Sequence, residues 1–284
     1  MTLLTFEVGP DAAGAAVRDV MRRRLKLSRI LYRRLWAEDG VRVDGRPAEP
    51  FAPLEPGQIL TLALAPAPAR VAPEAMDLAI AFEDEDVVVV AKAAGQVVHP
   101  TKGCSEGTLA AGLAHRYGAC HLINRLDRET SGLLIAARHP LAAQRLTAAL
   151  SRRDVSRTYL ALVHGIPRRP AGRIDAPIAP VPGAARRAVD PAGQPASTVY
   201  RVVAAAEDRA LVELHLETGR THQIRVHMAH LGHPVVGDDR YGPQPREWDR
   251  VCLHACRLAF PHPRTSALIE LSAAWPDDLP EVPA

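Results

Sequence analysis

Between Ala65 and Pro73 the chain reads Ala-Pro-Ala-Pro-Ala-Arg-Val-Ala-Pro, and a stretch with three prolines in nine residues can enter neither a helix interior nor a paired strand. Such a Pro/Ala run is extended and stiff, so it joins two folded units without belonging to either. The sequence therefore predicts a small unit over 1–64, a linker over 65–75, a large unit over 76–275 and a tail over 276–284. With 284 residues, 47% hydrophobic and 24% charged, the chain has enough apolar material for one large core and a small appended one.

In the small unit Val17, Met21 and Leu25 recur at helical spacing. Ser28 can cap a second helix whose apolar face holds Leu31 and Leu35 and which stops at Gly40. Val41-Arg-Val43, an Asp44-Gly45 turn of the hairpin type and the alternating strand Ile59–Leu64 complete a helix-then-sheet module. The net charge of the chain is only +3, yet Arg18, Arg22, Arg23, Arg24, Lys26, Arg29, Arg33 and Arg34 face a single acid, Asp19, over this stretch. One sign of charge on two successive helices suits a surface that tracks phosphates. With Ser28-Arg29, Gly40-Val-Arg-Val-Asp-Gly45 and Pro56-Gly57, the module resembles the S-four-like RNA-binding domain, which implies RNA contacts from Arg22, Arg23, Arg29 and Arg33.

In the large unit, Leu78–Phe82 and Val87–Lys92 read as strands joined by the acidic turn Glu83–Asp86. Strands predominate from there, as at Tyr159–Val163, Ser197–Val203 and Ala210–Leu216. Helical patterns interrupt them at about 105–116 and 139–151, and a Pro/Gly/Arg-rich stretch over 167–196 reads as irregular. The connections are not regular βαβ crossovers, so the class expected is α+β, with a mixed, mainly antiparallel central sheet.

The stretch His121-Leu-Ile-Asn-Arg-Leu-Asp-Arg-Glu-Thr-Ser-Gly-Leu-Leu134 places one carboxylate, Asp127, between Arg125 and Arg128, just before a turn and a buried apolar run. Nearby positive charge favours the ionised carboxylate. On spacing alone, such an acid is more often a surface ion-pair residue than a nucleophile. Arg125-Leu-Asp127 followed by Thr130-Ser-Gly132 resembles the catalytic motif of the RluA/RluD family of RNA pseudouridine synthases, with Asn124 where that family usually carries His. Arg157-Thr-Tyr159 with Ala161-Leu-Val163, Thr218-Gly-Arg-Thr-His-Gln-Ile-Arg-Val-His227, Leu231–Asp238 with Tyr241-Gly242, Leu253-His254 and Phe260-Pro-His-Pro263 resemble its further motifs. The resemblance spans nearly all of 76–275.

The resemblance implies the pseudouridine synthase fold and an enzyme that isomerises uridine in structured RNA without a cofactor. It assigns Asp127 as nucleophile or base, Arg220 as its salt-bridge partner, and Tyr159 as the residue that stacks on the uracil. Arg125 then fills the stack that the flipped nucleotide vacates, Leu133 and Ile224 line the pocket, and Asn124 holds the motif loop through its donor and acceptor. Ribosomal RNA of the large subunit is the favoured partner and transfer RNA the other candidate, with the protein acting as a monomer.

His222, His227, His230, His233, His254 and His262 lack the spacings of a His-Glu-x-x-His site, and Cys252-x-x-x-Cys256 is off pattern for zinc, so no metal is expected. The four cysteines form no Cys-x-x-Cys pair, and no apolar run approaches the roughly 20 residues that span a bilayer. A soluble cytoplasmic protein with reduced thiols is expected. The rival reading is a non-catalytic RNA-binding or ribosome-assembly factor that keeps the fold.

Overall fold

The computed structural model describes residues 2–64, 71–101 and 103–281. Most of the expected linker, 65–70, and the end of the tail, 282–284, lie outside the described residues. No described helix is long and apolar enough to cross a membrane.

The first part of the chain builds an antiparallel sheet from β1 (Thr2–Glu7), β2 (Val41–Val43), β3 (Arg46–Pro47) and β4 (Ile59–Leu64), in the order β1-β4-β2-β3. Asp44 and Gly45 both take positive φ, 49° and 79°, which is what the tight β2–β3 hairpin demands. Helix α1 (Val17–Asp19) runs directly into a π turn, Val20–Arg24, and α2 (Arg29–Ala37) follows. Ser28 caps α2, its hydroxyl accepting from the Leu31 amide at 3.2 Å. Val17, Met21, Leu31 and Leu35 are buried with Leu60 and Leu62 of the sheet.

The second part builds a ten-stranded sheet. Its first four strands are β5 (Ile80–Glu83), β6 (Val87–Lys92), β7 (His121–Leu122) and β8 (Ser131–Ala137). The others are β9 (Ser156–His164), β10 (Ala171–Asp175), β13 (Ser197–Ala206), β14 (Arg209–Leu216), β15 (Leu253–Pro261) and β16 (Leu268–Ser272). The order is β10-β13-β14-β9-β15-β8-β6-β5, with β16 on β15 and β7 on β8. The β8–β15 pair is parallel and the other pairs are antiparallel, so the sheet is mixed and mainly antiparallel as expected. A separate hairpin, β11 (Ile178–Pro180) with β12 (Arg187–Val189), stands beside it. The stretch 167–196 is thus less irregular than its composition suggests: β10, β11 and β12 are only three to five residues long, too short for alternation to show through the prolines.

Helix α3 (Leu109–Tyr117), capped by Thr108, and α4 (Pro140–Ser151), capped by His139, fall within the segments read as helical. The last helix, α5 (Gln223–His230), was not expected. Gln223 through Met228 are all buried, so the segment has no polar face and no helical stripe to read.

Strand β8 is buried along its whole length because both of its faces are covered. Leu134 and Ala136 pack with Tyr159, Leu214 and Ile224 on one face, while Leu133, Ile135 and Ala137 pack with Leu146 and Ala149 of α4 on the other. Helix α4 also holds the two parts together. Leu141 enters the core of the small part, and the Gln144 amide accepts from Ser28 N at 2.7 Å while donating to the Lys26 carbonyl at 2.5 Å.

Among the described residues, one group has the composition to hold a cation: Asp84, Asp86 and His262. Its atoms already serve one another. His262 Nε2 lies 2.8 Å from Asp84 Oδ2, and Asp86 takes His139 Nε2 at 2.7 Å and Arg264 Nε at 2.7 Å. His139 Nδ1 meanwhile accepts from Ala142 N at 3.2 Å, so the same network caps α4.

Candidate active site

Asp127 sits on the loop between β7 and β8, with its side chain 17% exposed. The loop is fixed from behind by Lys92, which is 2% exposed at the end of β6. Its Nζ donates to the carbonyls of Ala93 at 2.7 Å, Gln96 at 3.0 Å and Arg128 at 3.1 Å, which uses all three protons of an ammonium. Burial pushes this lysine down to about 7, and the charge of Asp127 pulls it the other way. Asn124 braces the entry to the loop, its Oδ1 accepting from Ile135 N at 2.8 Å.

The exit is shaped by Gly132, at φ +114°. A Cβ there would meet the Ala255 carbonyl oxygen and come within 2.6 Å of the Ala255 amide nitrogen. Only glycine lets β8 run this close to β15. Next to it, Ser131 Oγ lies 2.8 Å from His254 Nδ1 and accepts from Arg250 Nη1 at 3.2 Å.

The guanidinium that reaches Asp127 belongs to Arg225. Its Nη1 is 3.7 Å from Asp127 Oδ2, and its Nε and Nη2 make two 2.7 Å bonds to the two oxygens of Asp238. Arg225 is 4% exposed and its guanidinium carbon stands 5.2 Å from the centre of the Tyr241 ring. Burial alone would make the charge harder to hold, but the carboxylates of Asp238 and Asp127 outweigh it and raise the pKa. Asp238 is in turn held by the amides of Arg240 at 2.9 Å and Tyr241 at 3.1 Å.

Arg220, expected to pair with Asp127, is turned elsewhere. Its Nε donates to the Pro195 carbonyl at 3.0 Å and its Nη1 to Gln194 Oε1 at 3.0 Å. The reason lies in the loop 218–223. Gln223, 3% exposed, accepts from the Thr218 hydroxyl at 2.7 Å and Arg220 N at 3.0 Å, and donates to Ser197 O at 2.9 Å and Thr198 Oγ1 at 3.0 Å. That four-bond clasp fixes Arg220 before the helix begins, whereas Arg225 lies one turn further on, inside α5, where it meets the motif loop.

Two clefts open beside Asp127. One, of about 550 Å³, is bounded by Val98, His99, Arg125, His222, Arg225 and Arg240. The other, of about 630 Å³, is bounded by Asn124, Arg125, Arg153, Arg157, Tyr159 and Arg220. Both have the size of small-ligand sites. Asp127 and Arg125 line both, and Arg125 is exposed at the rim. A recess of about 40 Å³ at Asp127 brings in Tyr159, Ile224 and Leu253.

Asp127, Tyr159, Ile224, Asn124, Arg125 and Arg220 therefore converge on one region. Leu133 does not: strand alternation sends it to the α4 face of the sheet, and Leu126 and Leu253 supply apolar lining instead. Burial pushes the Tyr159 phenol up to about 12, so at neutral pH it keeps its proton. Arg22, Arg23, Arg29 and Arg33 are exposed on the small part, and Arg23 approaches Asp19 at 3.9 Å. Arg225, Lys92, His222, Gln223 and Asp238 had no role assigned from sequence, although His222, Gln223 and Arg225 lie in the 218–227 motif and Asp238 ends the 231–238 segment.

This arrangement supplies an aimed carboxylate, a fixed cation, a protonated phenol and an apolar floor, ringed by arginines. The sequence profile of the RNA pseudouridylate synthase family matches residues 86–230. An uncharacterized RNA pseudouridine synthase of Bacillus subtilis, YlyB, is 40% identical over 267 residues, covering 87% of this chain and 86% of that relative. The ribosomal large subunit pseudouridine synthase D of Yersinia pestis is 39% identical over 235 residues, 75% of this chain and 72% of its own. Among solved structures, human RNA pseudouridylate synthase domain containing 1 aligns with a TM-score of 0.60 at 29% identity, over 70% of this chain and 83% of that one.

Proposed function

The chain belongs to the RNA pseudouridine synthase family and isomerises uridine to pseudouridine in RNA; we propose that Asp127 opens that reaction and that its aim is set by Arg225. The observation that carries the assignment is the 3.7 Å approach of Arg225 to Asp127 by a guanidinium already locked on a buried carboxylate. A cation held this rigidly fixes the direction of the carboxylate oxygens.

The reaction breaks the bond from C1′ to N1, turns the uracil over, and joins C1′ to C5; the hydrogen lost from C5 is balanced by the one gained at N1. It needs no oxidant, water or energy input. An ionised carboxylate starts each available route, whether it attacks C1′, adds to the base or removes the C2′ proton. Tyr159, buried and protonated, offers the base a ring face and a hydroxyl rather than a second base. Arg125, exposed where the two clefts meet, suits the role of filling the stack from which the uridine leaves, an extrusion that costs a few kcal/mol. Arg153, Arg157 and Arg220 along the second cleft suit the flanking phosphates.

For substrate we favour large-subunit ribosomal RNA over transfer RNA, on the strength of the relative named for that activity. Residues 1–64 are proposed as an S-four-like RNA-binding domain and 76–275 as the catalytic domain; the exposed arginines of α2 and the π turn support the first. The protein is read as a monomer, since one chain supplies the whole site, and as cytoplasmic, since Cys104, Cys120, Cys252 and Cys256 are free thiols.

The test is a chemical map of pseudouridines in total RNA from a strain lacking the gene. One or a few positions in large-subunit ribosomal RNA should lose the modification and regain it with the wild-type gene but not with Asp127→Asn. An unchanged map overturns the assignment, and a missing position in transfer RNA replaces the substrate.

A further inference from the structure

His222 is the least ordinary residue around Asp127. It precedes α5 with φ +58° and ψ +21°, a left-handed conformation that costs a histidine roughly 1–3 kcal/mol, and its side chain does not cap the helix. Something must hold it there. Its Nδ1 lies 2.8 Å from the Tyr241 hydroxyl, and the two rings meet edge to face at 5.7 Å. The same hydroxyl accepts from the Arg187 amide at 2.8 Å. With its oxygen serving as that acceptor, the phenol has one proton left, and the imidazole Nδ1 is the acceptor in reach. With the phenol as donor to Nδ1, the tautomer assigned to the neutral ring carries its hydrogen on Nε2.

Among the described residues Nε2 has no hydrogen-bond partner, and His222 lines both the 550 Å³ cleft and the small recess at Asp127. Burial and the charges of Arg225 and Arg240 lower its basicity, with Asp127 acting against them, so the ring faces the cleft uncharged. Of the charged groups there, Arg225 is committed to Asp238 and Arg125 stands at the rim, while Tyr159 brings a second neutral hydroxyl to the recess.

We propose that His222 donates from Nε2 to a carbonyl oxygen of the flipped uracil. When the glycosidic bond breaks, the electron pair left on the base spreads onto these carbonyl oxygens, and a neutral donor already oriented by Tyr241 steadies that charge without drawing Asp127 into an ion pair. Left-handed geometry at 222 is then the means by which the ring reaches the cleft while α5 keeps Arg225 on Asp127. The inference rests on the assignment of Asp127 as the group that opens the reaction.

Asn and Gly suit φ +58° better than His but lack a donor at the Nε2 position, whereas the Gln amide nitrogen reaches nearly that position on a less favoured backbone. Single-turnover release of tritium from [5-³H]uridine-labelled ribosomal RNA of the deletion strain reads the chemical step. His222→Asn and His222→Gly should both be about 10- to 100-fold slower at saturating enzyme, with RNA affinity and urea midpoint unchanged. His222→Gln should stay within about threefold of the wild type. Wild-type rates in the Asn or Gly variant, or a Gln variant as slow as Asn, overturn the proposal while leaving Asp127 in place. Asp127→Asn is the control: if it releases tritium at the wild-type rate, the assignment of Asp127 falls and this one with it.

Discussion

Arg225→Met removes the guanidinium that, among the described residues, joins Asp127 to the interior, and the structure sets the size of the effect. Asp238, whose side chain is fully buried, keeps two amide donors but loses its counter-ion and two 2.7 Å charged bonds. Breaking a buried pair in this way costs about 3–5 kcal/mol of folding stability. For Asp127, unit charges 3.7 Å apart at an effective dielectric constant near 20 attract by about 4 kcal/mol, most of it offset by solvation of a partly exposed carboxylate. If about 2–3 kcal/mol of that aim and charge is lost at the transition state, the single-turnover rate falls about 100-fold. Urea unfolding and single-turnover pseudouridine formation separate the two losses. Arg225→Met with Asp238→Asn no longer leaves a buried charge, so most of the stability should return and the rate should not. Arg220→Met should weaken RNA binding and leave the rate at saturation within about threefold. The reasoning is refuted if Arg225→Met is destabilised by under about 1 kcal/mol and turns over normally, or if Arg220→Met is the variant that loses the chemical step.

Gly132→Ala forces a Cβ to within 2.6 Å of the Ala255 amide nitrogen on a backbone with φ +114°, and should lower stability by about 3 kcal/mol or more, read from thermal unfolding; a cost under about 1 kcal/mol contradicts the close approach of β8 and β15. Burial, reinforced by Arg250, pushes His254 down to about 4 from an ordinary 6.5, so the unfolded chain binds the extra proton between those values. Stability should therefore fall as pH drops from 6.5 to 4, by about 3 kcal/mol from this residue, and His254→Gln should flatten that slope in urea titrations; an unchanged slope refutes the burial argument. Replacing the exposed Arg22, Arg23, Arg29 and Arg33 by Gln should weaken RNA binding and reduce the slope of log affinity against log salt by about 3, leaving the rate at saturating RNA intact. An unaltered slope would make that cluster a solvated face.

Features set by a few neighbouring residues were legible. The Ser28 cap, the Asp44-Gly45 hairpin turn, the buried run of β6 and helices α3 and α4 each carry their signal within a dozen positions. What could not be read is decided by partners far along the chain. Helix α5 shows no stripe because it is buried on every side, and β8 meets β15 in parallel some 120 residues away, a register that only Gly132 hints at.

The site divided in the same way. Asp127 and Tyr159 belong to motifs that their own residues announce, whereas the choice between Arg220 and Arg225 depends on where the Gln223 clasp ends and α5 begins. Leu133 was misplaced by one position of strand alternation, which no local pattern resolves when both faces are covered. Lys92 reads as the polar end of a strand; only the three carbonyls gathered around it show that it holds the Asp127 loop.

The most direct measurement incubates the purified chain with ribosomal RNA from the deletion strain, then digests the RNA and counts pseudouridine by mass spectrometry. Wild-type protein should add pseudouridine at the positions the strain lacks and Asp127→Asn should add none at equal RNA occupancy. Pseudouridine formed at the wild-type rate by Asp127→Asn would contradict the account at its centre.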